Sequence, residues 1–115
     1  MGLRGGLLLG VLVLLAASCG ETWEQEDGEW FLLEQSSPTI LVVETVFGGS
    51  SCTRFVEWAV DESPEAVDIR AIIERSDAPD CTADQVRVDE RISLDAPLET
   101  RELRGCQRAH CRPTP

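Results

Sequence analysis

The sequence predicts an all-β domain, a small antiparallel sandwich or barrel of five to six short strands braced by disulfides. Three observations predict it. Two neighbouring segments, 56–60 and 67–73, alternate apolar and polar residues with the period of a half-buried strand. Clusters of Gly, Ser and Pro break the chain at short intervals. Five cysteines stand in only 115 residues, a length that suits one domain with a small core in need of bracing.

Taken in order, residues 20–29 (GETWEQEDGE) are acidic with one aromatic, Trp23, and are expected to be a short tether. Trp30-Phe31-Leu32-Leu33 is an apolar run that Ser36-Ser37-Pro38 interrupts. Residues 40–47 are rich in β-branched side chains and end at Gly48-Gly49-Ser50-Ser51. Val56, Trp58 and Val60 then alternate with Glu57, Ala59 and Asp61. Val67, Ile69, Ala71 and Ile73 alternate with Asp68, Arg70, Ile72 and Glu74. With Glu62-Ser63-Pro64-Glu65 between them, the two segments form a hairpin, Trp58 facing the core. Val86, Val88, Ile92 and Leu94 share a parity with Glu90. Burying that carboxylate is costly, so a bulge near Asp89-Glu90 is expected to turn it outward. After Pro97, residues 98–103 make a last short strand.

The first eighteen residues have the form of a removable signal. Arg4 and the amino terminus are positive, Leu7 to Leu15 are apolar apart from Gly10, and Ala16, Ala17 and Ser18 are small. The apolar run is well short of the roughly 20 residues that span a bilayer. Gly6 disfavours myristoylation, which needs Ser or Thr there. Ala16-Ala17-Ser18-Cys19 resembles the lipobox of bacterial lipoproteins, with Ala at 16 where Leu is commoner. The resemblance implies a diacylglycerol on the Cys19 sulfur, cleavage before Cys19, and a further acyl chain such as palmitate on the new amine. Two or three chains on one residue hold firmly to a membrane. Gly20 permits an outer-membrane destination on the extracytoplasmic side of the cell envelope. The expected organisation is a signal peptide over 1–18, a lipidated cysteine and acidic tether over 19–29, a β-domain over 30–111 and a tail over 112–115.

The body from about 39 to 104 resembles a recurrent type of small secreted bacterial domain. The residues that carry this are Gly48-Gly49-Ser50-Ser51-Cys52, Glu62-Ser63-Pro64, Cys81-Thr82-Ala83-Asp84 and Pro97-Leu98-Glu99-Thr100-Arg101. That type closes with Gly-Asp before the arginine, where this chain has Glu99-Thr100. The resemblance implies a fold class and residence outside the cytoplasm, and no activity.

With Cys19 taken for lipid, Cys52, Cys81, Cys106 and Cys111 remain for two disulfides in any of three connectivities. A hairpin turning near Ser63 and Pro64 sets Cys52 roughly opposite Arg75, with Cys81 a few residues on. That register favours Cys52–Cys81 and leaves Cys106–Cys111. A closed loop of about 30 residues contributes on the order of 3–4 kcal/mol in the chain-entropy model.

The rival for the thiols is zinc held by Cys106, His110, Cys111 and one more cysteine, a spacing outside the usual zinc patterns. Asp77, Asp80 and Asp84 could meet calcium but read better as a solvated loop. Asp61, Glu62 and Glu65 read as surface charge. Ser50 or Ser51 with His110 makes a thin case for a nucleophile and base. Trp23 and Trp30 lie near the anchor and are expected to pack. No catalytic residue, metal or cofactor is expected.

All ten basic residues are arginine, against 21 carboxylates, for a net charge of −11. Arg4 leaves with the signal, so nine arginines face the same 21 carboxylates, a balance of −12. Such a surface repels nucleic acid and anionic headgroups and favours basic partners. The expectation is a non-enzymatic, membrane-tethered binding module. The alternative is an inhibitor of a cationic wall-degrading enzyme.

Overall fold

The computed structural model describes residues 22–106. Seven strands follow one another: β1 Trp23–Gly28, β2 Trp30–Ser37, β3 Ile40–Gly48, β4 Thr53–Glu62, β5 Ala66–Ser76, β6 Gln85–Ser93 and β7 Glu102–Arg104. They form two facing sheets, one ordered β1-β5-β4 with β7 also on β5, the other β2-β3-β6. All pairings are antiparallel except β5 with β7. The all-β sandwich expected from the alternating segments is therefore the fold.

β5 is the axis of the first sheet and its most thoroughly buried strand. Val67, Ile69 and Ala71 are fully buried and Ile73 nearly so, as the alternation predicts, but Ile72, expected on the outward face, is buried as well. The core fills the space between β5 and β3. Leu41 and Val43 of β3 meet Val67, Ile69 and Ala71 in one cluster with Trp30, Leu32, Ile92, Leu94 and Leu98. Trp58 packs against this cluster, its ring edge-on to Trp30 at 6.3 Å. Such an aromatic pair contributes about 0.5–1.5 kcal/mol beyond its burial.

β4 runs along one edge of β5 from Val67 to Arg75. The other edge is shared: β7 pairs with Ala66–Asp68 and β1 with Ala71–Ser76. Between them Ile69 and Arg70 have no described strand beside them on that edge. The gap is closed from the facing sheet, where the Trp30 Nε1–H donates to the Ile69 carbonyl at 2.8 Å. Gly105, just past β7, has φ +99°, and a Cβ there would overlap the same carbonyl. Only glycine meets both demands.

Three expectations are corrected. The tether expected over 19–29 is, from Trp23 to Gly28, an edge strand. Backbone pairing with β5 holds it, and so do ion pairs Arg75–Glu26 at 2.7 Å and Arg70–Asp27 at 3.4 Å. Only its two end residues are even partly buried, so no apolar alternation marks it. Val56 and Val60 were expected inward with Trp58, yet both are exposed. A bulge between Phe55 and Glu57 shifts the phase of β4, and Phe55 joins Trp58 instead, ring centroids 5.7 Å apart. The bulge expected at Asp89-Glu90 is absent: β6 pairs with β3 in unbroken register from Gln85 to Ser93. Glu90 reaches solvent because β6 is an edge strand.

Candidate functional site

The chain passes from β1 to β2, and so from one sheet to the other, through the single residue Glu29. The buried Thr45 hydroxyl donates to the Glu29 carbonyl at 2.6 Å and fixes this corner. Two shallow grooves meet there. The larger, about 430 Å³, runs along the outer face of β3 past Phe31, Glu44, Val46 and Arg87. The smaller, about 330 Å³, lies against β1 and is lined by Glu26, Asp27 and Arg75. Glu29, Val46, Phe47 and Gly48 line both. A third hollow, bordered by Glu24 and Asp77, shares Glu26 and Arg75 with the second. The corner thus presents six carboxylates and two guanidinium groups. Both guanidinium groups are already engaged, Arg75 by Glu26 at 2.7 Å and Arg87 by Glu44 at 3.1 Å. Negative potential is left over, which suits a cationic ligand surface.

Glu44 is the least ordinary carboxylate of this surface. The register places it directly opposite Asp89. Hydrogen bonding to Asp89, burial and the Asp89 charge push its pKa above the usual glutamate value, and Arg87 only partly offsets them. Neither residue stands out in the sequence; the β3–β6 register is needed to see the pair.

The polar groups at the β4–β5 turn have a different role. Arg101 donates to Glu62 Oε1 at 3.2 Å and to the carbonyls of Ser63, Ala96 and Pro97 at 3.2, 2.7 and 3.0 Å. Glu62 Oε2 accepts from the Asp95 amide at 2.7 Å. Both side chains are largely buried, at 11% and 16% exposure. Glu62 therefore is not the surface charge expected of it. It joins the hairpin turn to the loop before β7. The Asp95 amide, then Arg101, hold its pKa below the usual value.

The cysteines follow the hairpin register. Thr53 faces Arg75, and the Ser76 amide donates to the Cys52 carbonyl at 2.7 Å. Cys52 and Cys81 are disulfide-bonded with Cα atoms 5.5 Å apart. Cys106 is also disulfide-bonded. Cys19, His110 and Cys111 lie outside the described residues, and with them the lipid site, the expected Cys106–Cys111 pairing and the zinc alternative.

The acidic loop beside the disulfide is spent on loop bonds. Asp84 Oδ1 accepts from the Ser50 amide at 2.9 Å and from the Thr82 hydroxyl, and its pKa lies far below the usual range for that reason. Asp77 Oδ1 accepts from the Thr22 amide at 3.3 Å. Among the described residues no group of three metal-ligating side chains comes together. Ser51 and Thr82 exchange backbone-to-hydroxyl bonds at 3.2 and 3.0 Å. Trp23 lies under the Arg54 guanidinium at 4.0 Å.

Compared with protein-family models, with curated proteins and with solved structures, the chain gives no match.

Proposed function

We propose that the chain is a lipid-anchored, extracytoplasmic binding module whose acidic corner receives a basic protein surface. The observation that carries this reading is the excess of carboxylates around the two joined grooves at Glu29. Charge of one sign around a concave surface steers an oppositely charged partner and speeds encounter. The Cys52–Cys81 disulfide supports residence in an oxidising compartment. The Ala16-Ala17-Ser18-Cys19 sequence supports a lipid anchor on Cys19, which leaves the domain tethered to the membrane. Binding is non-enzymatic in this reading and needs no cofactor.

A second reading is the special case in which the basic partner is a wall-degrading enzyme and binding inhibits it. The balance of nine arginines against 21 carboxylates, −12 once Arg4 leaves with the signal, favours this case. Titration with hen-type cationic lysozymes, at low and at moderate salt, tests both. Binding at low salt that weakens as salt rises, and weakens again in a Glu24→Gln/Asp27→Asn/Glu29→Gln variant, is expected. No binding at low salt, or equal binding by the variant, contradicts a role for this corner. Loss of lysozyme activity on binding distinguishes inhibition from simple capture.

A further inference from the structure

The free edge of β6 differs from the other edges of the sandwich. β2 is irregular between Leu32 and Glu34 and again between Gln35 and Ser37. β4 carries its bulge at Val56. β1 and β7 are short and separated by the gap at Ile69. β6 alone is long and unbroken, from Gln85 to Ser93, and no described strand pairs with its outer edge. Such an edge offers a row of unpaired backbone donors and acceptors to another strand.

The side chains of β6 indicate which strand fits. Gln85, Arg87, Asp89 and Arg91 lie on one face, all exposed, and opposite charges across a strand pair attract. In an antiparallel pair of identical strands related by a twofold axis, residues equally distant from the axis face each other. An axis at Arg87 or Arg91 sets that arginine against itself. At Asp89 it sets Asp89 against itself and Arg87 against Arg91, and at Glu90 it sets Glu90 against itself. At Val88 it sets each Arg87 against the partner's Asp89 and each Gln85 against the partner's Arg91, with no like charges opposed.

We propose that two copies of this chain associate edge to edge through β6, antiparallel about Val88, joining their three-stranded sheets into one of six strands. The pairing also answers the crowding of carboxylates at Asp89. That residue faces Glu44 on one side, and Arg87 of its own chain serves Glu44. The partner's Arg87, while still holding its own Glu44, brings a second guanidinium to the other side. On the other face Val88, half-buried in one copy, meets the partner's Val88, and Val86 lies opposite the partner's Glu90. The proposal needs no ligand at the acidic corner, although Glu44, Gln85 and Arg87 also line the larger groove there.

The test uses the full chain in mild detergent. Facing residues in an antiparallel pair have Cα atoms about 4.5–5.5 Å apart, within disulfide reach. Val88→Cys, gently oxidised, is expected to run mostly as a covalent dimer on a non-reducing gel. Arg91→Cys, which would face Gln85, is expected to stay monomeric. Adding Arg87→Asp to Val88→Cys lowers the dimer fraction roughly ten-fold, since it opposes like charges twice. The swap Arg87→Asp with Asp89→Arg restores it. Cross-linking of Val88→Cys no greater than that of Arg91→Cys overturns the proposal. So does a swap that fails to restore dimer.

Discussion

The indole N–H of Trp30 bonds to the carbonyl of Ile69 across the sandwich, at the point of the β5 edge that neither β1 nor β7 reaches. One side chain of the second sheet thus completes the hydrogen bonding of the first. Trp30→Phe keeps most of the ring and removes the donor. It is expected to cost about 1–3 kcal/mol, the penalty for stranding a buried carbonyl. Gly105→Ala, which drives a Cβ into the same carbonyl, is expected to cost more than about 1 kcal/mol. Denaturant midpoints check both, and an unchanged midpoint in either would remove this contact from the account.

Glu62 and Arg101 make the fold sensitive to acid. A carboxylate whose pKa is lowered on folding contributes stability above its unfolded pKa and loses it as pH falls through the folded value. Stability should therefore fall on acidification below about 4.5, the ordinary glutamate value, more steeply in the natural chain than in Glu62→Gln. Arg101→Lys cannot reach all four acceptors and is expected to cost about 1–3 kcal/mol at pH 7. Thermal melts across pH read both effects.

Glu44 acts with the opposite sign. Its pKa is raised on folding, so its contribution is favourable below the unfolded value and is lost as pH rises through the folded one. At neutral pH it strains the β3–β6 pair. Glu44→Gln is expected to raise stability at pH 7 by a few tenths to about 1 kcal/mol. The gain should shrink toward pH 4. A variant less stable than the natural chain at pH 7 would show that the Arg87 ion pair outweighs the carboxylate contact.

Glu99 is the one non-glycine residue with positive φ among those described, at 48°. It sits in the turn closed by the Arg101 amide on the Leu98 carbonyl at 2.9 Å. Glu99→Gly is expected to stabilise by roughly 0.5–1 kcal/mol, because it relieves a left-handed backbone that glycine adopts freely. A lower denaturant midpoint would contradict this.

Much of the sandwich is legible in the sequence where strands are buried. β5 shows its inward residues by alternation, and the hairpin register alone brings Cys52 to Cys81. What the sequence conceals lies at the edges. β1 buries almost nothing, so no pattern records it. The bulge at Val56 breaks phase without a Gly or Pro to mark it. Glu90 looks like a problem only if β6 is assumed to be covered on its inner side. The corner at Glu29 and the Glu44–Asp89 contact depend on how separate strands align, which one segment of sequence does not state.

The proposed lipoprotein would lose a leader cut before a lipidated Cys19 and keep a domain tied by disulfides. Intact-mass analysis of the mature protein, without reduction and then after reduction and alkylation, tests this most directly. The account predicts a chain beginning at Cys19, carrying diacylglycerol with or without a further acyl chain. Cys52, Cys81, Cys106 and Cys111 should become alkylated only after reduction. A mature chain beginning elsewhere, an unmodified Cys19, or alkylation of those four without reduction would contradict it.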